Sequence, residues 1–470
     1  MSLPSPLPLA VRRAEKDRFG EVFTPTGLIN AMLDKLPPSV WTDPAKKWLD
    51  PAAGFGNFFM EVYPRLMKSL EHVIPEPAQR RRHILTQMLY MVEVNEESCK
   101  RIRENPVFVG DDDDGHDAGV NLFCGDFLDQ AVGTNAFTDG ITQFDVIVGN
   151  PPFNADQTHE GKKGGGTILW PKFVEKSLRS GGGGGGGGGG DLLKRDGFLL
   201  FVHPALWRKP PSDRSSASVS TLFNKMTHDN HMLYLEIHNK LDGKRDFGVQ
   251  TRYDYYVIQK RLPTRSVGYL TRIKDQTGKV HESVDLSAWY FFLPNHSFEI
   301  IKPLLLSSPP SPPLSVSVSV SDVGIDNSIV IFSRCQYGSD QPWVSDTQDA
   351  QHIYPVVHST PKAGPRMMWS SKVNTSPAMF RVPKVIFGES GIHDVIVDIE
   401  GKYGMTQGAI GLKIIAASTA TLEAEAQQMK SVLESREFHT ILDAMSFSNF
   451  RIDWRMFLYF CPNFYKKIHK

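Results

Sequence analysis

Over the first half of the chain, short apolar runs alternate with segments of helical period. LYMVEV, FDVIVG and GFLLFV are continuous apolar runs, the pattern of strands buried on both faces. KKWLDPAAGFGNFF predicts a strand, a glycine loop and a helix through Leu66. LYMVEVNEESCKRIREN predicts a strand followed by a helix, and NLFCGDFLD and FDVIVGNPPF predict two more strands. ILWPKFVEKSLRS reads as an amphipathic helix, and GFLLFVHP, YLEIH and TRYDYYVIQK supply the remaining strands. Strands alternating with helices build parallel βαβ units, so the predicted fold class is α/β, a Rossmann-like doubly wound sheet. The alternation fades after about Leu262. This predicts a flexible N-terminus over 1–18, a sheet domain over 19–265 and a mixed α+β domain over 266–470.

Two biased segments interrupt these domains. Ten glycines, Gly181 to Gly190, bury no side chain and lose much entropy on ordering, so 180–190 reads as a flexible surface loop. SSPPSPPLSVSVSVS, Ser307 to Ser321, reads as a Ser/Pro-rich loop. DDDDGHD, Asp111 to Asp117, reads as a self-repelling solvated loop rather than a metal site, and no metal is expected.

Composition narrows the classes. With 52 basic and 52 acidic residues the net charge is zero, which argues against a protein that coats nucleic acid non-specifically but leaves room for a local basic cleft. No apolar run approaches the ~20 residues of a membrane helix, and the N-terminus lacks the apolar core of a secretory signal. The expected location is therefore intracellular and soluble, nuclear or cytoplasmic. Two arginines and no acid before Glu15 leave an organelle transit peptide open. Cys99, Cys124, Cys335 and Cys461 are far apart and form no CxxC pair, which suits a reducing compartment and argues against a zinc site or a disulfide framework.

The candidate chemistry lies at strand ends. Asp50 closes the first strand, and the Gly54 and Gly56 turn that follows lets the backbone approach a ligand closely. Glu93 closes the second strand, the usual place for an acceptor of ribose hydroxyls. After the third come Asp126, an acceptor for an exocyclic amine, and Phe127, a face for an adenine. A single such acid reads equally well as a helix cap or a loop carboxylate, but three in succession weaken that reading. No GxxxxGK sequence cradles a polyphosphate. The expected ligand is an adenosine without one, and S-adenosyl-L-methionine fits.

The fourth strand ends in Asn150-Pro151-Pro152-Phe153. The Asn150 side-chain oxygen and the Pro151 carbonyl are two acceptors on a stiffened backbone, because each proline fixes φ near −65°. Two acceptors suit one NH2 group, whose lone pair they localise onto nitrogen for attack on a sulfonium methyl. An adenine N6, a cytosine N4 or a glutamine amide meets that description. Phe153 offers a face for a planar target.

FTP at Phe23 to Pro25, DPAAGFGNF, VEVNEE, CGDFLD and GNPPF, in that order, resemble the DNA adenine N6-methyltransferases, specifically the γ-type order of TaqI-like and Eco57I-like enzymes. The resemblance covers roughly 19 to 262. It implies a Rossmann-like methyltransferase sheet, S-adenosyl-L-methionine as cofactor, and site-specific methyl transfer to the N6 of a flipped adenine in double-stranded DNA. It implies Thr24 near the methionine carboxylate, with Asp50, Ala52, Gly54 and Gly56 along the methionyl part. It implies Glu93 on the ribose, Asp126 and Phe127 on the cofactor adenine, and Asn150, Pro151, Pro152 and Phe153 on the target base. Family members carry a second aromatic on the opposite face of that base. Phe247 is the best match, with Tyr253 as its rival.

The stretch from Pro361 to Lys384 carries Lys362, Arg366, Lys372, Arg381 and Lys384 and no acid, with Trp369 and Phe380 interleaved. It reads as a DNA-contacting surface, or as a basic solvated loop. Arg208, Lys209 and Arg214 read as a second phosphate-binding patch. VIFGESG, GKYGMTQGAIGL and FSNFRIDWRMFLYF resemble the tail of Eco57I-like methylase homologues of large DNA viruses and algae. Unlike Eco57I-type enzymes, the chain has no room for a nuclease domain before its first motif, so any nuclease is expected on a separate polypeptide and the chain itself as a monomer or weak dimer. The rival readings are RNA adenine methylation, protein-glutamine N5 methylation, cytosine N4 methylation and a catalytically silent DNA-binding module.

Overall fold

The computed structural model describes residues 23–109, 119–129, 136–137, 139–154, 168–179, 191–209, 217–261, 270–290, 292–306, 330–331, 341–373, 380–406, 408–414, 419–447, 452–461 and 463–468. The segments 1–18, 111–117, 180–190 and 307–321, and Arg214, lie outside them. The chain divides into two compact units, Met1–Trp207 with Ser215–Trp289, and Arg208–Arg214 with Tyr290–Lys470.

In the first unit β1 (Trp48–Asp50), β2 (Leu89–Glu93), β3 (Asn121–Cys124), β4 (Phe144–Gly149), β5 (Leu193–Pro204), β6 (His231–His238), β7 (Tyr253–Gln259), β8 (Leu270–Lys274) and β9 (Val280–Asp285) form one sheet. Its order is β3-β2-β1-β4-β5-β7-β6-β8-β9. Neighbours from β3 to β5 are parallel, and β7 runs antiparallel between β5 and β6. This is the expected Rossmann-like doubly wound sheet. Strand order reverses between β1 and β4, the switch point at which such sheets open a crevice for a ligand. Every residue of β1, β2 and β4 is buried, which is why they read as unbroken apolar runs. The helix Asn57–Ser69 packs Phe59, Val62 and Leu66 into the core shared with Trp48, Met91 and Val148.

The sheet runs past the boundary expected at 265. β8 pairs in parallel with β6, and β9 pairs antiparallel with β8. β8 alternates exposed and buried positions, so it lacks the apolar run by which the inner strands are recognised.

The second unit is mixed α+β. Strands β11 (Val344–Ser345), β12 (Tyr354–Ser359), β13 (Arg366–Ser370) and β16 (Gly404–Met405) form one four-stranded sheet. Strands β10 (Val330–Ile331), β14 (Lys384–Gly388), β15 (Gly391–Asp398) and β17 (Ala409–Lys413) form another, and the helices Thr419–Leu433 and Arg436–Ala444 follow. Val356, Val357, Met368, Phe380 and Ile386 form an apolar cluster in this unit.

Three expectations are corrected here. Phe380 belongs to that cluster rather than to an exposed basic surface. Lys384 is fully buried on β14 with its Nζ 2.6 Å from Asp398 Oδ2, so it faces a carboxylate in the core rather than a phosphate. Arg208 is also fully buried, donating to the Leu293 and Pro294 carbonyls and to Asn295 Oδ1, while Lys209 pairs with Asp453 at 3.4 Å. The proposed second patch at Arg208 and Lys209 is therefore internal bracing of the unit.

A fourth correction concerns the cysteines. Cys99, on the helix Glu96–Glu104, and Cys124, the last residue of β3, are joined as a disulfide with Cα atoms 6.2 Å apart. The β2-helix-β3 crossover folds the start of the helix back beside the end of β3, a proximity that a 25-residue separation hides. Cys461 is a free thiol. Among the described residues no helix is long and apolar enough to cross a membrane.

Candidate active site

β1 lies between β2 and β4 in the sheet, so Asp50, Glu93 and Gly149 end neighbouring strands at the same edge. Asp50 is fully buried. Its Oδ1 accepts from the Ala52 amide at 3.1 Å, which starts the glycine loop, and its Oδ2 has no hydrogen-bond partner among the described residues. Burial, with the charge of Glu93, pushes the Asp50 carboxyl up to about 8 against the pull of the Ala52 N–H. A Cβ at Gly149 would stand 2.9 Å from Asp50 Oδ1, so the residue before Asn150 has to be glycine for this packing. Gly56, at φ 81°, begins the helix Asn57–Ser69, and a Cβ there would meet the Phe108 ring at 2.5 Å.

Glu93 holds the loop from the other side. Its Oε2 accepts from the Gly54 amide at 2.7 Å and its Oε1 from the Asn95 amide at 2.8 Å. Burial raises its pKa, against the lowering effect of these N–H groups. The Glu93 carbonyl accepts from Gly125 at 2.8 Å and so ties the end of β2 to the turn after β3. In that turn Asp126 is exposed, its Oδ1 accepting from the Leu128 amide at 2.8 Å. Phe127 is buried and stacks on Phe173 with ring centroids 4.8 Å apart. Lys176 Nζ donates to the Phe127 carbonyl at 2.6 Å and lies 5.0 Å from the ring centroid. Burial lowers the Lys176 pKa to about 8.

Beside these groups lies a cavity of about 370 Å³, within the ordinary size range of small-molecule sites. Of the residues expected to bind a cofactor, Thr24, Ala52, Gly54, Glu93, Asp126, Phe127 and Asn150 line it. Pro151 and Pro152 line it too, so the Asn-Pro-Pro segment forms part of the same wall. Asp50 and Gly56 do not line it: Asp50 supports the loop from beneath and Gly56 turns the chain into the helix. Asn57, Val94, Leu169 and Phe173 also line it and were missed in the sequence. For Leu169 and Phe173 a signal existed in the apolar face of the helix Trp170–Ser177, but nothing in periodicity says which element that face covers.

Phe153 is outside the cavity wall. Its carbonyl accepts from Leu169 at 3.2 Å, and its ring meets Phe247 edge-on with centroids 6.0 Å apart. The structure thus brings Phe247 beside Phe153, with Tyr253 behind it at 4.8 Å. In the second unit Lys362, Arg366 and Lys372 are exposed, and Trp369 is half-buried on β13. Arg366 pairs with Asp346 at 3.6 Å, and Lys372 Nζ lies 4.5 Å from the Trp343 ring centroid.

Residues 10–170, about a third of the chain, match the sequence model of the N-6 DNA Methylase family. A stretch of 86 residues is 40% identical to an uncharacterized adenine-specific methylase of Mycoplasma pneumoniae. It spans 18% of this chain and 20% of the length of that relative. Among solved structures, DrdV in its complex with DNA is 14% identical, covering 97% of this chain and 57% of that chain with a TM-score of 0.49. The Type IIL restriction-modification enzyme MmeI in complex with DNA is 8% identical, covering 93% of this chain and 67% of that chain with a TM-score of 0.47.

Proposed function

We propose that the chain is a DNA adenine N6-methyltransferase that uses S-adenosyl-L-methionine. The observation that carries the reading is the shared wall: Asn150, Pro151 and Pro152 border the same cavity as Thr24, Glu93, Asp126 and Phe127. The match of residues 10–170 to the N-6 DNA Methylase family supports it. The order of the motifs, cofactor loop first, Asn-Pro-Pro-Phe next and the second unit last, supports a γ-type arrangement resembling TaqI-like and Eco57I-like enzymes.

The donor and acceptor chemistry of the cavity fits the cofactor. Glu93 keeps acceptor capacity beyond its two backbone bonds, which suits a ribose diol, and Phe127 beside Asp126 suits an adenine ring with its amine. Thr24 suits a carboxylate, and the Ala52 to Gly54 backbone suits the methionyl chain. When bound, the cofactor supplies an electrophilic sulfonium methyl. Asn150 and the Pro151 carbonyl accept from the two hydrogens of the adenine N6 and localise its lone pair on nitrogen. Phe153 and Phe247 offer ring faces for a base that has left the duplex, offsetting the unstacking cost of a few kcal/mol. The exposed Lys362, Arg366 and Lys372 and the half-buried Trp369 suit contacts to the DNA backbone.

The test is Asn150→Ala. Methyl transfer to unmethylated duplex DNA should fall by roughly 100-fold or more, the cost of losing one preorganised partner of the reacting group. Binding of S-adenosyl-L-methionine, followed by calorimetry, should stay within a few-fold of the parent. Undiminished transfer in this variant contradicts the clamp. Product on RNA or on a glutamine amide, with none on DNA, moves the target to those classes.

A further inference from the structure

Behind Phe247 lies a set of side chains that the proposed reaction does not use. β6 ends at His238 and β7 begins at Tyr253, and these two residues stand opposite each other in the antiparallel pairing. Their rings stack with centroids 4.3 Å apart and 6° between planes. The connection between them is the helix Lys240–Phe247. Asn239 opens it with a reciprocal cap, accepting from the Leu241 and Asp242 amides while Asp242 Oδ2 accepts from the Asn239 amide at 3.0 Å. Gly248, at φ 69°, closes it. Both ends of this two-turn helix are therefore set by local capping, and Phe247 is its last residue.

Capping alone does not fix the side of the helix that Phe247 presents. Tyr253 bears on both Asp246 and Phe247. Its hydroxyl donates to Asp246 Oδ2 at 2.5 Å, and its ring meets Phe247 edge-on, 4.8 Å between centroids. Arg245 holds the same Asp246 carboxylate through Nε at 2.9 Å and through a terminal guanidinium nitrogen at 2.8 Å. Burial, and then the Asp246 carboxylate that accepts its proton, push the Tyr253 phenol up from its ordinary range, so the group remains a donor. Phe247 in turn meets Phe153 at 6.0 Å. The contacts run in one line: His238 on Tyr253, Tyr253 on Asp246 and Phe247, Phe247 on Phe153.

We propose that Tyr253 is a positioning residue for Phe247. Its hydroxyl bond to Asp246 and the edge of its ring orient Phe247 so that a planar target displacing the Phe153–Phe247 contact meets a preset wall. His238, stacked on the ring of Tyr253, keeps that ring from turning away. The proposal rests on the reading of Phe153 and Phe247 as the faces for a target base. Tyr253 touches neither target nor cofactor and acts only through Phe247.

The experiment measures single-turnover methyl transfer from S-adenosyl-L-methionine to unmethylated genomic DNA, in the full chain, for Tyr253→Phe, Phe247→Ala and the double variant. Tyr253→Phe keeps the ring and removes only the hydroxyl. Transfer at subsaturating DNA should fall roughly tenfold, the loss of one charge-assisted hydrogen bond, with cofactor affinity unchanged. In the Phe247→Ala background the same substitution should lower transfer no further, because the residue it positions is gone. A purely structural tyrosine would lower transfer to the same degree in both backgrounds, and that result overturns the proposal. So does full activity of Tyr253→Phe alongside an impaired Phe247→Ala, which leaves the base-facing reading of Phe247 intact. Full activity of Phe247→Ala overturns both.

Discussion

Charged residues take different positions in the two units. In the first, Asp50 and Glu93 sit at the ends of neighbouring parallel strands and accept from the backbone N–H groups of Ala52, Gly54 and Asn95, and among the described residues neither forms an ion pair with a cation. Asp145, at the start of β4, is instead held by Lys46 at 3.2 Å and Lys194 at 2.8 Å. At the crevice end of these strands the carboxylates accept from backbone N–H groups, whereas at the other end Asp145 is tied to lysines. In the second unit the cations of one continuous stretch separate. Lys362 and Arg366 are exposed around the β12–β13 hairpin, while Lys384 is buried against Asp398. The end of a parallel strand has one geometry, so position there carries functional meaning. A basic stretch that becomes several antiparallel strands does not, because alternate residues face opposite ways.

The largest effect that sharpens this contrast is expected at Lys384. Lys384→Met leaves Asp398, which also accepts from the Lys402 and Tyr403 amides, without its cation. The variant should lose about 3–5 kcal/mol in urea denaturation. A loss below ~1 kcal/mol would show that Lys384 is not built into the core in this way. Next is the Cys99–Cys124 bond. Its removal, by dithiothreitol or by Cys124→Ser, should cost roughly 3 kcal/mol for a loop of this size. Equal stability of the oxidised and reduced chains would break that assignment.

Phe153 should matter less to stability than to transfer. Phe153→Ala should lower methyl transfer by about 1–3 kcal/mol in activation free energy, while Phe153→Tyr keeps most activity, since stacking needs a ring but no hydroxyl. Equal rates for the alanine variant and the parent would remove the stacking role. The smallest effect is expected at Lys362. Lys362→Ala should leave stability within ~0.5 kcal/mol and reduce the salt dependence of DNA binding by about one phosphate contact. An unchanged salt slope would place the DNA path elsewhere.

The first unit was largely legible because β1, β2 and β4 are buried along their whole length and end at Asp50, Glu93 and Gly149, just before Asn150. What was missed there has physical causes. β8 and β9 carry alternation too short to stand out, and the Cys99–Cys124 pairing depends on how a crossover returns. Asp50 was placed at the right strand end and expected along the methionyl part of the cofactor; it is fully buried, does not line the cavity, and supports the loop from beneath. Phe173 reaches the cavity by stacking on Phe127, a contact between elements that neither sequence segment announces. In the second unit composition suggested a surface, but β14 is buried along its whole length and takes Lys384 with it, and Phe380 packs into the apolar cluster from the bend before that strand.

We propose one methyl-transfer site, acting on adenine in DNA, made by the cavity and the Asn150–Phe153 segment. The most direct test incubates the chain with isotopically labelled S-adenosyl-L-methionine and unmethylated duplex DNA, then analyses nucleosides by mass spectrometry. Labelled N6-methyladenine is expected, and it should be lost in Asn150→Ala. Labelled N4-methylcytosine, or a cofactor that binds while DNA gains no label, would contradict it.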